Sequence, residues 1–233
     1  QIDADVCSSD LQIDADAKML GLVKKISVGI CGDARAAALA LVSRLKGKTL
    51  ACHANRAARL ATVAKERKAW EKELDGWTHE RDAYSLEVAK ESKYMHPRQV
   101  LRELEKAMPA RAMVSTDIGN ICSISNSYLR FNEPRSMFAA MSFGNCGYAF
   151  PTIIGAKLAA PERPAIAYVG DGAWGISFNE VQTCVRENIP VTAIVFNNGQ
   201  WGAEKKNHVD FYNRRYLGVA LDNQPHWANV AIA

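Results

Sequence analysis

The stretch Ala165-Ile166-Ala167-Tyr168-Val169-Gly170-Asp171-Gly172-Ala173-Trp174-Gly175 decides the fold. Its first half is a near-continuous apolar run, the pattern of a strand buried on both faces, and its second half is glycine-rich and opens into a helical pattern. Two further segments repeat the theme. Ala112-Met113-Val114-Ser115-Thr116 reads as a strand, followed by a loop at Asp117-Ile118-Gly119-Asn120 and a helical stretch to about Arg130. Val191-Thr192-Ala193-Ile194-Val195-Phe196 reads as another strand. Doubly buried strands joined by helices imply an α/β fold with a doubly wound parallel sheet, in which ligands sit beyond the carboxyl ends of the strands. The loops after these strands are therefore the candidate site.

Outward from this region the pattern changes twice. Pro97 marks a helix start, Val100, Leu101, Leu104 and Met108 fall at helical spacing, and Pro109 ends the helix, so a domain is expected over 97–233. The preceding segment, 51–96, is predicted to be a charged helical linker: residues 65–93 hold seven Lys/Arg against eight Asp/Glu, a mixed-sign surface suited to i,i+4 pairing. No apolar seam is sustained there for a coiled coil. Residues 12–50 read as the tail of an α/β unit, with strands at Gln12–Asp16 and Val23–Ile30, the turn Cys31-Gly32-Asp33, and an Ala/Leu-rich helix from Ala34 to Leu45 ended by Gly47. The pentapeptide Gln-Ile-Asp-Ala-Asp stands at 1–5 and again at 12–16, a repeat that fits no repeat architecture; residues 1–11 are read as an assembly artefact. At the other end Pro225–Ala233 starts a helix without a terminating cap, so a truncated domain is expected.

Composition narrows the class. With 48% hydrophobic and 23% charged residues among 233, the chain sits in the ordinary globular range. The 29 basic and 25 acidic residues leave +4, with the signs interleaved, so no nucleic-acid footprint is present. No apolar run reaches the roughly 18 residues a membrane span needs, and no signal-peptide pattern opens the chain. The six cysteines lie far apart with no C-x-x-C pair, which argues against zinc and a disulfide framework and for a reducing cytoplasm.

Gly170-Asp171-Gly172-Ala173-Trp174-Gly175 satisfies G-x-G-x-x-G after a strand, and dinucleotide binding is the plain reading. Two details oppose it. A dinucleotide site places an acidic residue at the end of the next strand, whereas 191–196 ends in the amides Asn197-Asn198. Asp171 beside a pyrophosphate is also repulsive unless a cation lies between them, and Mg²⁺ held by protein and phosphate oxygens is the usual solution. Asp171 and Asn198, from the ends of neighbouring strands, supply such oxygens, while the glycines and the N–H groups opening the helix admit the diphosphate.

Gly170-Asp171-Gly172 followed by Asn197-Asn198, with Glu180 and Pro190 between, resembles the signature of thiamine-diphosphate enzymes of the acetolactate-synthase-like type. The resemblance implies thiamine diphosphate and Mg²⁺ as cofactors, with Asp171, Asn198 and the main-chain carbonyl of Gln200 binding the metal. It implies cofactor contacts from Ile118, Gly119 and Asn120, from Gly144 and Cys146 in Ser142–Pro151, from Gly170, Asp171, Gly172 and Ala173, and from Asn198, Gln200, Trp201 and Gly202. Cys146 occupies the position where relatives carry a larger apolar residue that bends the cofactor; the alternative for it is a buried structural thiol. Trp174 and Trp201 either wall the pocket or pack in the core.

The segment Asn198–Asn207, with Trp201-Gly202-Ala203-Glu204-Lys205-Lys206 at its centre, together with Val209–Arg215, resembles the branch of the family that acts on sulfoacetaldehyde and phosphate. Lys205 and Lys206 then line a pocket for small anions, or else belong to a charged surface helix. A carboligase or decarboxylase of the same family, and a non-catalytic nucleotide-binding domain, stay open. The resemblance also implies a homo-oligomer with the active site between subunits, and an essential glutamate on a pyrimidine domain that nothing here matches. No catalytic residue is therefore assigned to this chain, and alone it is expected to be inactive. Glu180 does not fill that role, since it lies in the diphosphate domain's own helix.

Overall fold

In a computed structural model the described residues are 10–48, 55–79 and 95–232, and the chain divides into two units between Glu66 and Arg67. In the first unit β1 (Leu11–Asp14) pairs in parallel with β2 (Val28–Cys31), Leu11 opposite Val28. Helix α1 (Ala34–Leu45) follows, its Ala36 N–H donating to the Asp33 carboxylate at 2.8 Å as an N-cap. The second strand is shorter than its apolar run suggests, because Val23 stands 94% exposed before it. Of the segment read as an artefact, residues 1–9 lie outside the described residues; Asp10 pairs with Lys24 at 2.8 Å and Leu11 begins β1.

Helix α2 (Arg56–His79) carries the boundary, and from Arg67 onward it belongs to the second unit. There it does more than connect. Leu74 is 1% exposed, and Glu71 and Asp75 pair with Arg102 of α3 (Pro97–Ala107) at 2.8 and 2.6 Å. Glu71 also meets Arg130. These acids pair across elements because one face of the helix is held against the core. The predicted start of α3 is present: Pro97 occupies the first turn behind His96, whose ring accepts from Arg98 N–H while its own N–H donates to Gln99.

The sheet of the second unit contains β3 (Met113–Thr116), β4 (Met137–Ala139), β5 (Ala165–Gly170) and β6 (Thr192–Phe196), all parallel, in the order β4-β3-β5-β6. Between them run α4 (Asn120–Tyr128), α5 (Ala149–Ala159), α6 (Asp171–Ser177) and α7 (Val181–Arg186), with α8 (Gly202–Phe211) and α9 (Trp227–Ile232) after β6. Alternation along the strands assigns the faces. Met113, Ala167 and Val169 pack against Phe150 and Ile153 of α5 and Trp174 of α6, while Val114, Ile166 and Tyr168 pack against Leu74, Leu101 and Tyr128 on the other side. Each large side chain buried this way contributes about 1.5–3 kcal/mol. Covering both faces is what requires near-continuous apolar strands.

Strand β4 has no counterpart in the sequence reading, being three residues long. Its place sets the site: the chain steps from β3 to β4 on one side and then to β5 on the other, so strand order reverses between β3 and β5. The crevice outside their carboxyl ends is the expected ligand position.

Candidate cofactor site

Four loops meet at those carboxyl ends. After β3 come Asp117, Ile118 and Gly119, and α4 begins at Asn120 with no side-chain cap. After β4, the segment 140–148 carries Gly144 and Cys146, and the Cys146 thiol approaches the Ile118 carbonyl at 3.8 Å. After β5 stands Asp171, 2% exposed, and after β6 stand the exposed Asn197 and Asn198. Asp171 Oδ2 accepts the Gly199 N–H at 2.8 Å, so a carboxylate from one strand end fixes the loop of the next. Gly199, at φ +65°, makes the turn, and its N–H is shared with Asn197 Oδ1 at 3.2 Å. Asn198 Oδ1 accepts the Gln200 N–H, and the loop is tied down by Trp201 N–H to Val219 and Leu221 N–H to Gly199.

The glycine motif differs from the turn the sequence suggests. Helix α6 starts at Asp171 itself, so Gly172 and Gly175 lie in helix rather than in a loop. Gly172 is needed for space: a Cβ there would meet the Trp201 ring at 2.7 Å. Gly202 leaves a comparable gap, where a Cβ would stand 3.1 Å from Asn198 Nδ2 and 3.5 Å from Asn120 Nδ2. Two of the predicted loops thus converge at Gly202. Trp174 is a core residue, 4% exposed and edge-on to Phe150 at 4.8 Å, whereas Trp201 lies over the Gly172 backbone.

Among the described residues no group of three His, Cys, Asp or Glu is placed to hold a metal. The donors at hand are one carboxylate, an amide side chain and main-chain carbonyls, hard oxygens suited to Mg²⁺ rather than zinc. Together with the gap at Gly202, this donor set fits a diphosphate and its cation. Lys206 pairs with Asp210 at 2.5 Å along the exposed face of α8. Lys205 turns back to Gln200 Oε1 at 2.8 Å and lies over the Tyr216 ring. Glu180 bonds locally to Thr183 at 2.8 Å.

Sequence reasoning passed over Asp117. It is 0% exposed, and Oδ1 accepts the N–H groups of Tyr148 at 2.7 Å and Ala149 at 3.2 Å. Burial pushes its carboxyl above the ordinary value of 3.8, against the lowering effect of the backbone donors. A folded-state value above the unfolded one means stability that is fully present below the ordinary value and lost as pH rises through the folded value. Asp117→Asn, which does not titrate, is expected to flatten that limb of the curve of Tm against pH; an unaltered limb would assign it to other groups. The signal available was position: Asp117 and Asp171 each directly follow a strand of the same sheet.

The family described as thiamine pyrophosphate enzyme, C-terminal TPP binding domain, matches residues 117–233. The chain belongs to this family. Sulfoacetaldehyde acetyltransferase of Alcaligenes xylosoxydans xylosoxydans is 67% identical over 223 residues, covering 92% of this chain and 37% of the relative. The acetolactate synthase large subunit of Haemophilus influenzae is 28% identical over 163 residues, covering 70% and 28%. The chain thus spans well under half of the relatives it matches. Among solved structures, the thiamine diphosphate-dependent 4-hydroxybenzoylformate decarboxylase of Rhodococcus jostii RHA1 superposes with a TM-score of 0.56 over 60% of this chain and 27% of that one. At 22% identity, that likeness bears on the fold alone. No described helix is long and apolar enough to cross a membrane.

Proposed function

We propose that residues 97–233 form the diphosphate-binding domain of a thiamine-diphosphate- and Mg²⁺-dependent acyltransferase that converts sulfoacetaldehyde and phosphate to acetyl phosphate and sulfite. The 67% identity to a sulfoacetaldehyde acetyltransferase carries this reading, against 28% to an acetolactate synthase. Asp171, Asn198 and the Gln200 carbonyl hold the cation. The N–H groups opening α4 and α6 lie at the strand ends where the diphosphate would sit, and Gly202 lets the Asn198 and Asn120 amides approach there. Thiamine diphosphate, when bound, supplies the carbanion chemistry that attacks an aldehyde carbonyl. The chain's own part is to bind and orient: Cys146 and Gly144 form one wall, Ile118, Gly119 and Asn120 another, and Trp201 shields the Gly172 backbone from water. Lys205, whose ammonium donates to Gln200 Oε1 at 2.8 Å, suits an anionic substrate. The active site is completed by a second subunit of a cytoplasmic homo-oligomer.

The decisive assay gives the full-length protein sulfoacetaldehyde and phosphate, with sulfite and acetyl phosphate as the expected products. Acetolactate from pyruvate, with no sulfite released from sulfoacetaldehyde, would establish the carboligase instead. Ligand binding indifferent to Mg²⁺ would point to a non-catalytic nucleotide-binding domain.

A further inference from the structure

Asp117 touches none of the groups assigned to the metal, yet it is the most deeply buried charge at the strand ends. Its position in the fold explains why. Helix α5 begins behind Tyr148, a residue that offers no cap of its own. The first N–H groups of the helix are satisfied instead by a carboxylate 31 residues earlier, at the end of β3. An anion at a helix N-terminus is favoured by the exposed N–H groups and the helix dipole. A local Ser or Asp at position 148 would cap the helix as well, so a cap drawn from another strand does something further. It pins the turn just before α5 to the sheet at the point where strand order reverses.

That turn is 144–148. Gly144 and Gly147 both sit at positive φ, +79° and +78°, and the Cys146 thiol lies near the Ile118 carbonyl, next in sequence to Asp117. The bonds to Tyr148 and Ala149 thus close a loop that begins at β4 and is otherwise held by the Gly144 N–H to Ala140 bond at 2.7 Å, the Ser115 hydroxyl on the Ala149 carbonyl at 2.6 Å and the Cys146 contact. Oδ2 of Asp117 is buried with no hydrogen-bond partner among the described residues. Leaving a buried carboxylate oxygen unmet is unfavourable, so capping the helix does not by itself account for Asp117.

Building on the functional reading above, we propose that Asp117 is a positioning residue whose buried carboxylate fixes the 144–148 turn against the end of β3 and thereby sets thiamine-diphosphate affinity without touching the cofactor. The conservative variant separates geometry from charge. Asp117→Asn removes the charge and keeps an acceptor for the two N–H groups; Asp117→Ala removes both.

The test uses the full-length protein and two readouts. The first is the rate at which a maleimide labels Cys146, followed by peptide mass spectrometry without cofactor. The second is the Kd for thiamine diphosphate at fixed Mg²⁺. Labelling of a half-buried thiol requires local opening of its turn, so Asp117→Ala is expected to label about 10-fold faster and bind cofactor about 10-fold more weakly, the scale of a lost charge-assisted hydrogen bond. Asp117→Asn should stay within about threefold of the parent on both readouts. If Asp117→Ala does not accumulate as folded protein, Asp117→Ser, whose hydroxyl is too short to reach the two N–H groups, carries the same expectation. A lower Tm with unchanged labelling and unchanged Kd would reduce Asp117 to a structural cap and overturn the proposal. So would Asp117→Asn behaving like Asp117→Ala. A parent that binds no thiamine diphosphate would strike the functional reading instead, and the labelling rates would still decide whether Asp117 holds the turn.

Discussion

Asp171→Ala is expected to weaken metal-dependent thiamine-diphosphate binding in the full-length protein by at least about 100-fold, or about 2.7 kcal/mol. Two losses combine. The carboxylate is the one charged oxygen in the donor set, and a diphosphate beside it is tolerable only with a cation between them. It also accepts the Gly199 N–H at 2.8 Å, so its removal frees the loop that presents Asn198 and Gln200. Asp171→Asn separates the two, since the amide keeps an acceptor for Gly199 and discards the charge. Calorimetry with and without Mg²⁺ should show Asp171→Asn retaining a folded loop with poor metal affinity and Asp171→Ala deficient in both. Cofactor binding by Asp171→Ala as tight as the parent's would remove Asp171 from the metal site. Asn198→Asp, which keeps an oxygen and adds a charge, should alter metal affinity; an unchanged value would remove Asn198 as well.

The legible parts of this fold are those in which the sequence carries its own periodicity. Val169 and Val195 belong to apolar runs because both faces of β5 and β6 are covered, and the helix start at Pro97 is written in local chemistry. Strand β4 was illegible because three residues, Met137–Ala139, contain no measurable alternation; only pairing with β3 makes them a strand. The direction of the acids on α2 was hidden for a related reason. Glu71 and Asp75 fit i,i+4 pairing on paper, but their partner is Arg102 of another helix, a contact set by packing.

At the site the same divide appears. The spacing from Asp171 to Asn198 is a sequence property, because both residues end adjacent strands and the crossover between them has a set length. Asp117 has no such signature: its partners are backbone N–H groups of Tyr148 and Ala149, and a backbone partner leaves no mark on residue type. The glycines were legible as glycines but not in their function. Gly172 looks like part of a phosphate-binding turn and is instead a gap in a helix that admits the Trp201 ring.

Gly147→Val is expected to be the most damaging single substitution in the turn, because two penalties fall on one residue. Gly147 has φ +78°, where a β-branched side chain is strained by about 1–2 kcal/mol. A Cβ there would also stand 2.6 Å from Ile176 Cγ2 and 3.2 Å from Ile176 Cβ. The first distance decides the matter, since it is closer than side-chain carbons approach and Cγ2 is branched directly on a Cβ fixed to the backbone of α6. Overpacking of this kind costs about 1–3 kcal/mol, so the sum is roughly 2–5 kcal/mol, a large part of the stability of an ordinary domain. Thermal unfolding should show it directly. Ile176→Ala in the same background removes the obstructing Cγ2 but keeps Cβ, so it should recover most of the overlap portion while leaving the φ penalty. That recovery is the informative result, because Ile176 is 55% exposed and its truncation alone should alter Tm little. If Gly147→Val were as stable as the parent, the turn would have to shift away from α6, and Cys146 and its neighbours would not stand where the site requires them. If the double variant recovered nothing, strain at Gly147 rather than contact with α6 would hold the turn in place.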